Sequence, residues 1–295
     1  MNSKERGFLL LTSQLGDAFR KPLTVAQFRN LANRVAQMHK PSENRELTQE
    51  DLLALGYDRS TTLRILALLS EEELLDRYLY NGCRQDCFPI SRVSEDYPLA
   101  VRKRLGLDAP GCLWAKGEVS LLRTQTVSIV GSRELREQNR NFAAAVGREV
   151  AQQGYTLVSG NARGADRVAQ EACLANGGKV ISVVADELQK HPLTKNVLYL
   201  SEDSFDLPFT SARALSRNRV IHSLGHITLV VQSDVGIGGT WDGTAKNLQN
   251  NWSPVFCFND GSKAAVELEQ MGATLIATDE LYDLSVLQPN TISLI

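Results

Sequence analysis

Thr126-Val127-Ser128-Ile129-Val130-Gly131-Ser132-Arg133 is the stretch on which the fold turns. Val127 to Val130 is a short apolar run with β-branched residues, so it reads as a strand, and Gly131 stops it. Gly131 allows a ligand to approach the backbone closely. Ser132 is placed to donate its hydroxyl and to cap a following helix. Arg133 can clamp an oxyanion with two parallel hydrogen bonds. Alone, the triplet also fits a plain strand-to-helix turn with a solvated arginine.

Downstream, the same alternation repeats. Helices read at 142–153, 165–176, 213–224, 240–250 and 264–271. Strands read at 156–158, 180–184, 227–231, 255–258 and 274–276. Fully apolar strands alternating with helices specify a mostly parallel sheet covered on both faces. The expected fold class is therefore α/β, an extended Rossmann-like doubly wound sheet, whose ligands sit beyond the carboxyl ends of the strands. Upstream, residues 1–90 read as helical. Val25, Phe28, Leu31, Ala32 and Val35 make one apolar helix face, Thr48 opens a second helix, and Leu63, Leu66 and Leu69 mark a third. Glu71 to Tyr80 reads as a fourth. This segment is either a DNA-touching module of helix-hairpin-helix or SAM type or a bundle packed on the main domain. Residues 81–110 read as a linker, dividing the chain into 1–90 and 91–295.

Three further loops carry chemistry. Ser159-Gly160-Asn161-Ala162-Arg163-Gly164-Ala165-Asp166 follows the second strand and opens a helix, an arrangement whose amides can cradle phosphate. Asp166 can pair with an arginine of the first loop, bind a sugar hydroxyl, or simply favour its helix dipole. Arg217-Asn218-Arg219, with Arg213 nearby, is the densest positive charge of this half. Arginines two apart cannot share a helix face, so one should point at the site and the other away. Gly238-Gly239-Thr240 precedes another helix and again suits phosphate. Trp241 either stacks on a ligand base or packs on the sheet. The fold brings these loops to one edge, which makes the set stronger than its parts.

Composition narrows the classes. With 43% hydrophobic and 22% charged residues in 295, the chain should fold, and a net charge of −2 confines any polyanion site to a local patch. The tail after Trp252 carries Lys263 against Asp260, Glu267, Glu269, Asp279, Glu280 and Asp283, so it should not meet a phosphate backbone. Membrane spans and a signal peptide are not read, so a cytoplasmic protein is expected. Cys83 and Cys87 are close together, but neither His39, His191, His222 nor His226 stands at zinc-like spacing from them. Ordinary thiols, with no metal or cofactor, are expected.

In their order, Gly131-Ser132-Arg133, Ser159-Gly160, Arg163-Gly164-Ala165-Asp166, Gly177-Gly178-Lys179, Arg217-Asn218-Arg219 and Gly238-Gly239-Thr240 resemble the DprA/Smf family of DNA-processing proteins. The resemblance runs from Tyr97-Pro98 to about residue 260. It implies single-stranded DNA in a basic pocket, no catalysis, a homodimer, and a RecA-type recombinase loaded on that DNA. Gln170 replaces a family histidine, Gln232 replaces a glutamate, and Gly238-Gly239-Thr240 replaces Ser-Gly-Ser. The winged helix of many members is not expected. Such departures suit a divergent member, for example the partner of a toxin in a phage-defence module, sensing DNA or a nucleotide. The glycine-rich loop also resembles related nucleotide phosphoribohydrolases, which need a glutamate where this chain has Gly243. Asp242 is one residue off, rotated by about 100° on a helix.

Overall fold

The computed structural model describes residues 1–17, 19–38, 46–202 and 204–287; His39 lies outside these. The chain starts with five helices: α1 (Ser3–Thr12), α2 (Val25–Ala36), α3 (Gln49–Ala54), α4 (Arg59–Leu69) and α5 (Glu72–Cys83). Their starts follow local chemistry. Asn2 with Glu5, Thr24 with Gln27 and Thr48 with Asp51 form reciprocal caps, and Asp58 caps α4. Within the span expected to be helical, α1 is not marked as a separate helix by its sequence, because Phe8 to Leu11 is apolar without interruption and shows no helical period. The reason is structural: all four side chains are buried. Leu11, Leu31, Leu52, Ile65 and Leu68 close the bundle core.

The expected linker is ordered. It contains β1 (Phe88–Ser91) and α6 (Leu99–Leu105), and β2 (Cys112–Gly117) follows at once. β1 and β2 pair antiparallel and add two strands to the main sheet. Gly, Pro and Cys residues there resemble linker composition, and a four-residue strand containing Pro89 is too short to show a period of two. α5 docks on this edge through Tyr78, whose ring meets Trp114 edge-on with centroids 5.1 Å apart.

The remaining strands are β3 (Thr126–Val130), β4 (Thr156–Ser159), β5 (Lys179–Val184), β6 (Val197–Glu202), β7 (Ile227–Val230), β8 (Val255–Phe258) and β9 (Thr274–Ile276). The helices are α7 (Glu137–Gln152), α8 (Ala165–Ala175), α9 (Ser211–Ser216), α10 (Asn218–Leu224), α11 (Gly238–Asn250) and α12 (Lys263–Gln270). Among the described residues the sheet has nine strands in the order β1-β2-β6-β5-β4-β3-β7-β8-β9. From β6 to β9 every neighbouring pair is parallel. The run β5-β4-β3-β7-β8-β9 is the 3-2-1-4-5-6 order of a doubly wound sheet. Chain direction across the sheet reverses between β3 and β7, and there a crevice opens. β6 was missed because only a one-turn 3-10 helix (Leu188–Lys190) separates it from β5, against the expected alternation.

Alternation along β3 feeds two cores. Val127 and Ile129 join Phe142, Val146 and Leu157 on the face covered by α7 and α8. Val130 joins Val158, Ile181 and Leu224 on the other. Ser128 also faces that second side, and its hydroxyl donates to the carbonyl of Ile221 at 2.6 Å, which answers the cost of burying it.

Candidate functional site

The carboxyl ends of β3, β4 and β7 surround a crevice of about 530 Å³. Of the residues expected from sequence, Gly131, Ser132, Arg133, Asp166, Arg217, Asn218, Gly238, Gly239 and Thr240 line it. Gly160 and Arg163 line an adjoining recess of about 340 Å³ that shares Arg133 and Arg217 with it. Ser159 lies buried at the end of β4. Gly164 contributes backbone at positive φ, packed against the first loop. Arg219 points elsewhere.

Arg217 organises the site. The sequence suggested one helix over 213–224; instead the chain breaks into α9 and α10 with Arg217 at the break. Its guanidinium passes under the second loop and donates to the carbonyl of Gly160 at 3.1 Å and to Asn218 Oδ1 at 2.7 Å. Asn218 Nδ2 in turn donates to the carbonyl of Gly239 at 3.0 Å, which links three loops through two side chains. Only 9% of Arg217 is exposed, and its Nε has no hydrogen-bond partner among the described residues. Burial pushes the guanidinium down from its ordinary pKa, against the stabilising charge of Asp166. Arg219 turns away, as the spacing required of one of the pair: it donates to Glu202 Oε2 at 2.9 Å and to the carbonyl of Asp108 at 2.9 Å. Arg213 is spent on the carbonyls of Ala185, Leu207 and Pro208.

The second loop differs from the expected phosphate cradle. Asp166 Oδ2 accepts from the amides of Gly160 at 2.9 Å and Ala162 at 3.2 Å. The side chain is itself the anion in that nest, so these amides are not left for a ligand. Burial raises the pKa of the Asp166 carboxyl, while Arg217, the two amides and Arg133 oppose the rise. Two glycines make the loop possible. Gly164 has φ +90°, and a Cβ there would stand 2.3 Å from the carbonyl oxygen of Ser132. A Cβ on Gly160 would stand 2.0 Å from the Arg217 guanidinium.

In the first loop, Ser132 does not cap a helix. α7 starts at Glu137, with Arg136 at its cap position. The Ser132 amide and hydroxyl both donate to the carbonyl of Gln232, at 3.0 and 3.1 Å. The Gln232 side chain bridges Arg136 N and the carbonyl of Glu134, both at 3.0 Å. Gln170 is a brace of the same kind, donating to Ser159 Oγ at 2.5 Å and Ser182 Oγ at 2.9 Å. The two glutamines that depart from the family pattern therefore hold loops and strands together. Arg133 is exposed and makes no hydrogen bond or ion pair with another described residue. Arg163 pairs with Glu134 at 2.7 Å on the exposed rim.

The fourth loop leads into α11, which starts two residues earlier than expected, at Gly238, with no side chain capping it. The first-turn N–H groups of Gly238, Gly239 and Thr240 lie on the crevice wall and have no intrahelical acceptor. Trp241 packs against the main core. Asp242 pairs with Lys246 at 2.8 Å outside the crevice. A Cβ on Gly243 would stand 3.1 Å from His222 Nε2 and 3.3 Å from Asn218 Cβ. Beneath Gly243 lies a buried polar chain. Asn247 Nδ2 donates to His222 Nδ1 at 3.0 Å and to Ser253 Oγ at 3.1 Å, and Ser253 meets Thr228 at 2.8 Å. Burial lowers the His222 pKa to about 3, so the ring is neutral.

Two residues went unnoticed in the sequence. Ser233 is 5% exposed in the crevice wall, and its hydroxyl lacks a partner among the described residues. Its signal was its place just past β7. Phe209 is 53% exposed in the recess beside Arg133 and Arg217. It sits in a proline-containing loop rather than among the glycines.

Comparison with known proteins places this geometry. The family model described as DNA recombination-mediator protein A matches residues 89–284. The protein Smf of Escherichia coli is 30% identical over 189 residues, covering 59% of this chain and 50% of that protein. The DNA processing protein DprA of Bacillus subtilis is 29% identical over 208 residues, covering 65% of this chain and 68% of that one. The chain thus matches half the length of the first relative and about two thirds of the second. The crystal structure of Streptococcus pneumoniae DprA shares the fold, with a TM-score of 0.68 and 23% identity over 97% of this chain and 95% of that one. A Helicobacter pylori DprA structure, described for its single-stranded DNA binding mode, has a TM-score of 0.55 and 25% identity over 64% of this chain and 90% of that one.

Proposed function

Because the chain belongs to the DNA recombination-mediator protein A family, we propose that it binds single-stranded DNA in the switch-point crevice and serves DNA recombination or uptake without catalysing a reaction. One observation carries this reading: Arg217, buried with an unpaired Nε, stands beside the partnerless Arg133 at the uncapped start of α11. A phosphate there accepts from two guanidinium groups and from first-turn amides. Exposed Phe209 supplies a face for a neighbouring base. Self-association is favoured by the apolar side chains Val266, Met271 and Tyr282 near the β9 edge, each at least 44% exposed. A homodimer with a RecA-type recombinase as partner, in the cytoplasm, completes the proposal. No helix among the described residues is long and apolar enough to cross a membrane.

The charge balance sets the expected strength. Among the described residues Arg133, Arg163 and Arg217 face Glu134, Asp166, Asp186 and Asp234 around the two cavities, so the charges nearly cancel and long-range attraction is slight. Only Arg133 and Arg217 are left to neutralise phosphates. For two single-strand phosphates, log K should fall against log salt with a slope of about −1.4. Fluorescence polarisation with labelled oligothymidylate measures it. Arg133→Ala should halve the slope to about −0.7. Undetectable binding, or a slope of zero, would sink the proposal. In the same assay Gly160→Ala should weaken binding about tenfold, since the added methyl must displace the Arg217 guanidinium and with it a charged hydrogen bond. Unchanged affinity in that variant would mean that Arg217 does not touch the strand.

The near balance also favours a second reading, a free nucleotide held in the same crevice as a regulatory signal, for instance to a toxin partner. Mass spectrometry of ligand retained through purification separates the two.

A further inference from the structure

A second cavity, of about 900 Å³, lies between the helical bundle and the sheet edge and shares no lining residue with the crevice. From its chemistry we propose that it is a binding site for a free purine nucleotide, distinct from the strand-binding crevice.

Three features define the ligand. The walls are aromatic and aliphatic: Phe8 and Phe28 form an edge-to-face pair with centroids 4.9 Å apart, and Leu15 and Tyr78 stand among the other lining residues. A flat ring system of drug size suits such walls, and cavities of roughly 300–1,000 Å³ at domain junctions are where such ligands bind. The floor is a polarised chain. Tyr78 Oη meets Ser204 Oγ at 2.5 Å, and Ser204 donates onward to Asp206 Oδ1. Both hydroxyls are thereby committed. The second oxygen of Asp206 carries no hydrogen bond with a described residue, so it offers an anionic acceptor to ring N–H and amino groups. Guanine presents a ring N–H and an amino group on one edge, and adenine presents an amino group. Among the described residues the lining also contains Lys4, Arg29, Arg92 and Arg102 against Asp206, three positive charges in excess. Arg92 spends its hydrogen bonds on the carbonyls of Gly106, Leu107 and Ala109, and Arg102 donates to the carbonyl of Ser94. These neutral acceptors leave the charge uncompensated. Lys4 and Arg29 make no hydrogen bond or ion pair with another described residue. A base against Tyr78, Ser204 and Asp206 with a phosphate held by lining cations satisfies all three features at once.

The walls come from both modules, Phe8 and Phe28 from the bundle and Ser204 and Asp206 from the loop after β6. Occupancy therefore couples the bundle to the sheet, and the nucleotide acts as a signal on how firmly the two are joined.

Isothermal titration calorimetry of the full chain with guanosine 5′-monophosphate, adenosine 5′-monophosphate and ribose 5-phosphate tests this. One equivalent of a purine monophosphate should bind, and ribose 5-phosphate should bind at least tenfold more weakly, because the floor and aromatic walls are then unused. Asp206→Asn should weaken the purine about tenfold by removing the anionic acceptor. Ala32→Trp, at an exposed wall position, should block the cavity without touching the core. Arg133→Ala, in the crevice, should leave the titration unchanged. Oligothymidylate binding by Asp206→Asn and Ala32→Trp reports that both variants are folded. Absence of heat from both purines at millimolar concentration would overturn the proposal. So would purine binding that survives Ala32→Trp and is lost in Arg133→Ala, which would assign the nucleotide to the crevice.

Discussion

Arg217→Ala is expected to weaken single-strand binding about a hundredfold and to lower the unfolding free energy by about 3 kcal/mol at neutral pH. The two losses have different origins. Binding loses a buried guanidinium whose donors reach the crevice, and charged hydrogen bonds of that kind are worth about 1.5–3 kcal/mol. Stability suffers because Asp166, 5% exposed, is left without its main cation. Burial already holds the pKa of that carboxyl above its ordinary value, and removing Arg217 raises it further. A raised folded-state pKa means that protonation favours the folded chain. The stability deficit of Arg217→Ala should therefore be largest at neutral pH and shrink as the solution is acidified. Adding Asp166→Asn keeps an amide acceptor for Gly160 and Ala162 and removes the stranded charge. The double variant should regain most of the stability and none of the affinity. Urea unfolding at two pH values, paired with polarisation, reads both. Wild-type affinity in Arg217→Ala would remove the crevice from the binding reaction.

The second large effect is an acid sensitivity from His222. Its folded pKa of about 3 lies well below the ordinary 6.5, because the ring is fully buried and Arg217 is near. The unfolded chain takes up a proton as pH falls through 6.5, and the folded chain does not until about 3. Stability contributed by this site is thus complete above 6.5 and is lost progressively between 6.5 and about 3. By about pH 5 the loss should be about 2 kcal/mol, and across the whole window on the order of 4 kcal/mol. His222→Gln retains an acceptor for Asn247 and does not titrate. The difference in unfolding free energy between this variant and the parent should change by that amount over the window. A pH-independent difference would show that the ring is protonated or exposed in the folded chain.

Much of this architecture was legible because it rests on short-range rules. Val127–Val130 followed by Gly131 announces a buried strand and its end, and the short apolar runs of β4, β5, β7, β8 and β9 give the parallel sheet. What stayed hidden depends on long-range partners. β1 and β2 are strands because they pair with each other and β2 pairs with β6, not because of their own period. Asp166 read as a possible ligand residue because sequence does not reveal that its oxygen is already filled by the amides of Gly160 and Ala162. Arg217 and Arg219 were separable in principle from their spacing, but only the fold says which one faces the crevice. Ser132 looked like a helix cap, yet the carbonyl of Gln232, a hundred residues later, takes its hydroxyl.

That distance in sequence has a kinetic side. Val127 pairs with Ile227 across the centre of the sheet. Closing a loop of that length costs about 4 kcal/mol in chain entropy before any contact repays it. The ribosome releases β3 long before β7, and the first loop waits unsupported until β7 arrives with Gln232 and the start of α11. The crevice is consequently among the last features the folding chain completes. A growing polypeptide has the glycines and arginines but no assembled anion site, so the strand binding proposed for the crevice requires the sheet to be closed from both halves.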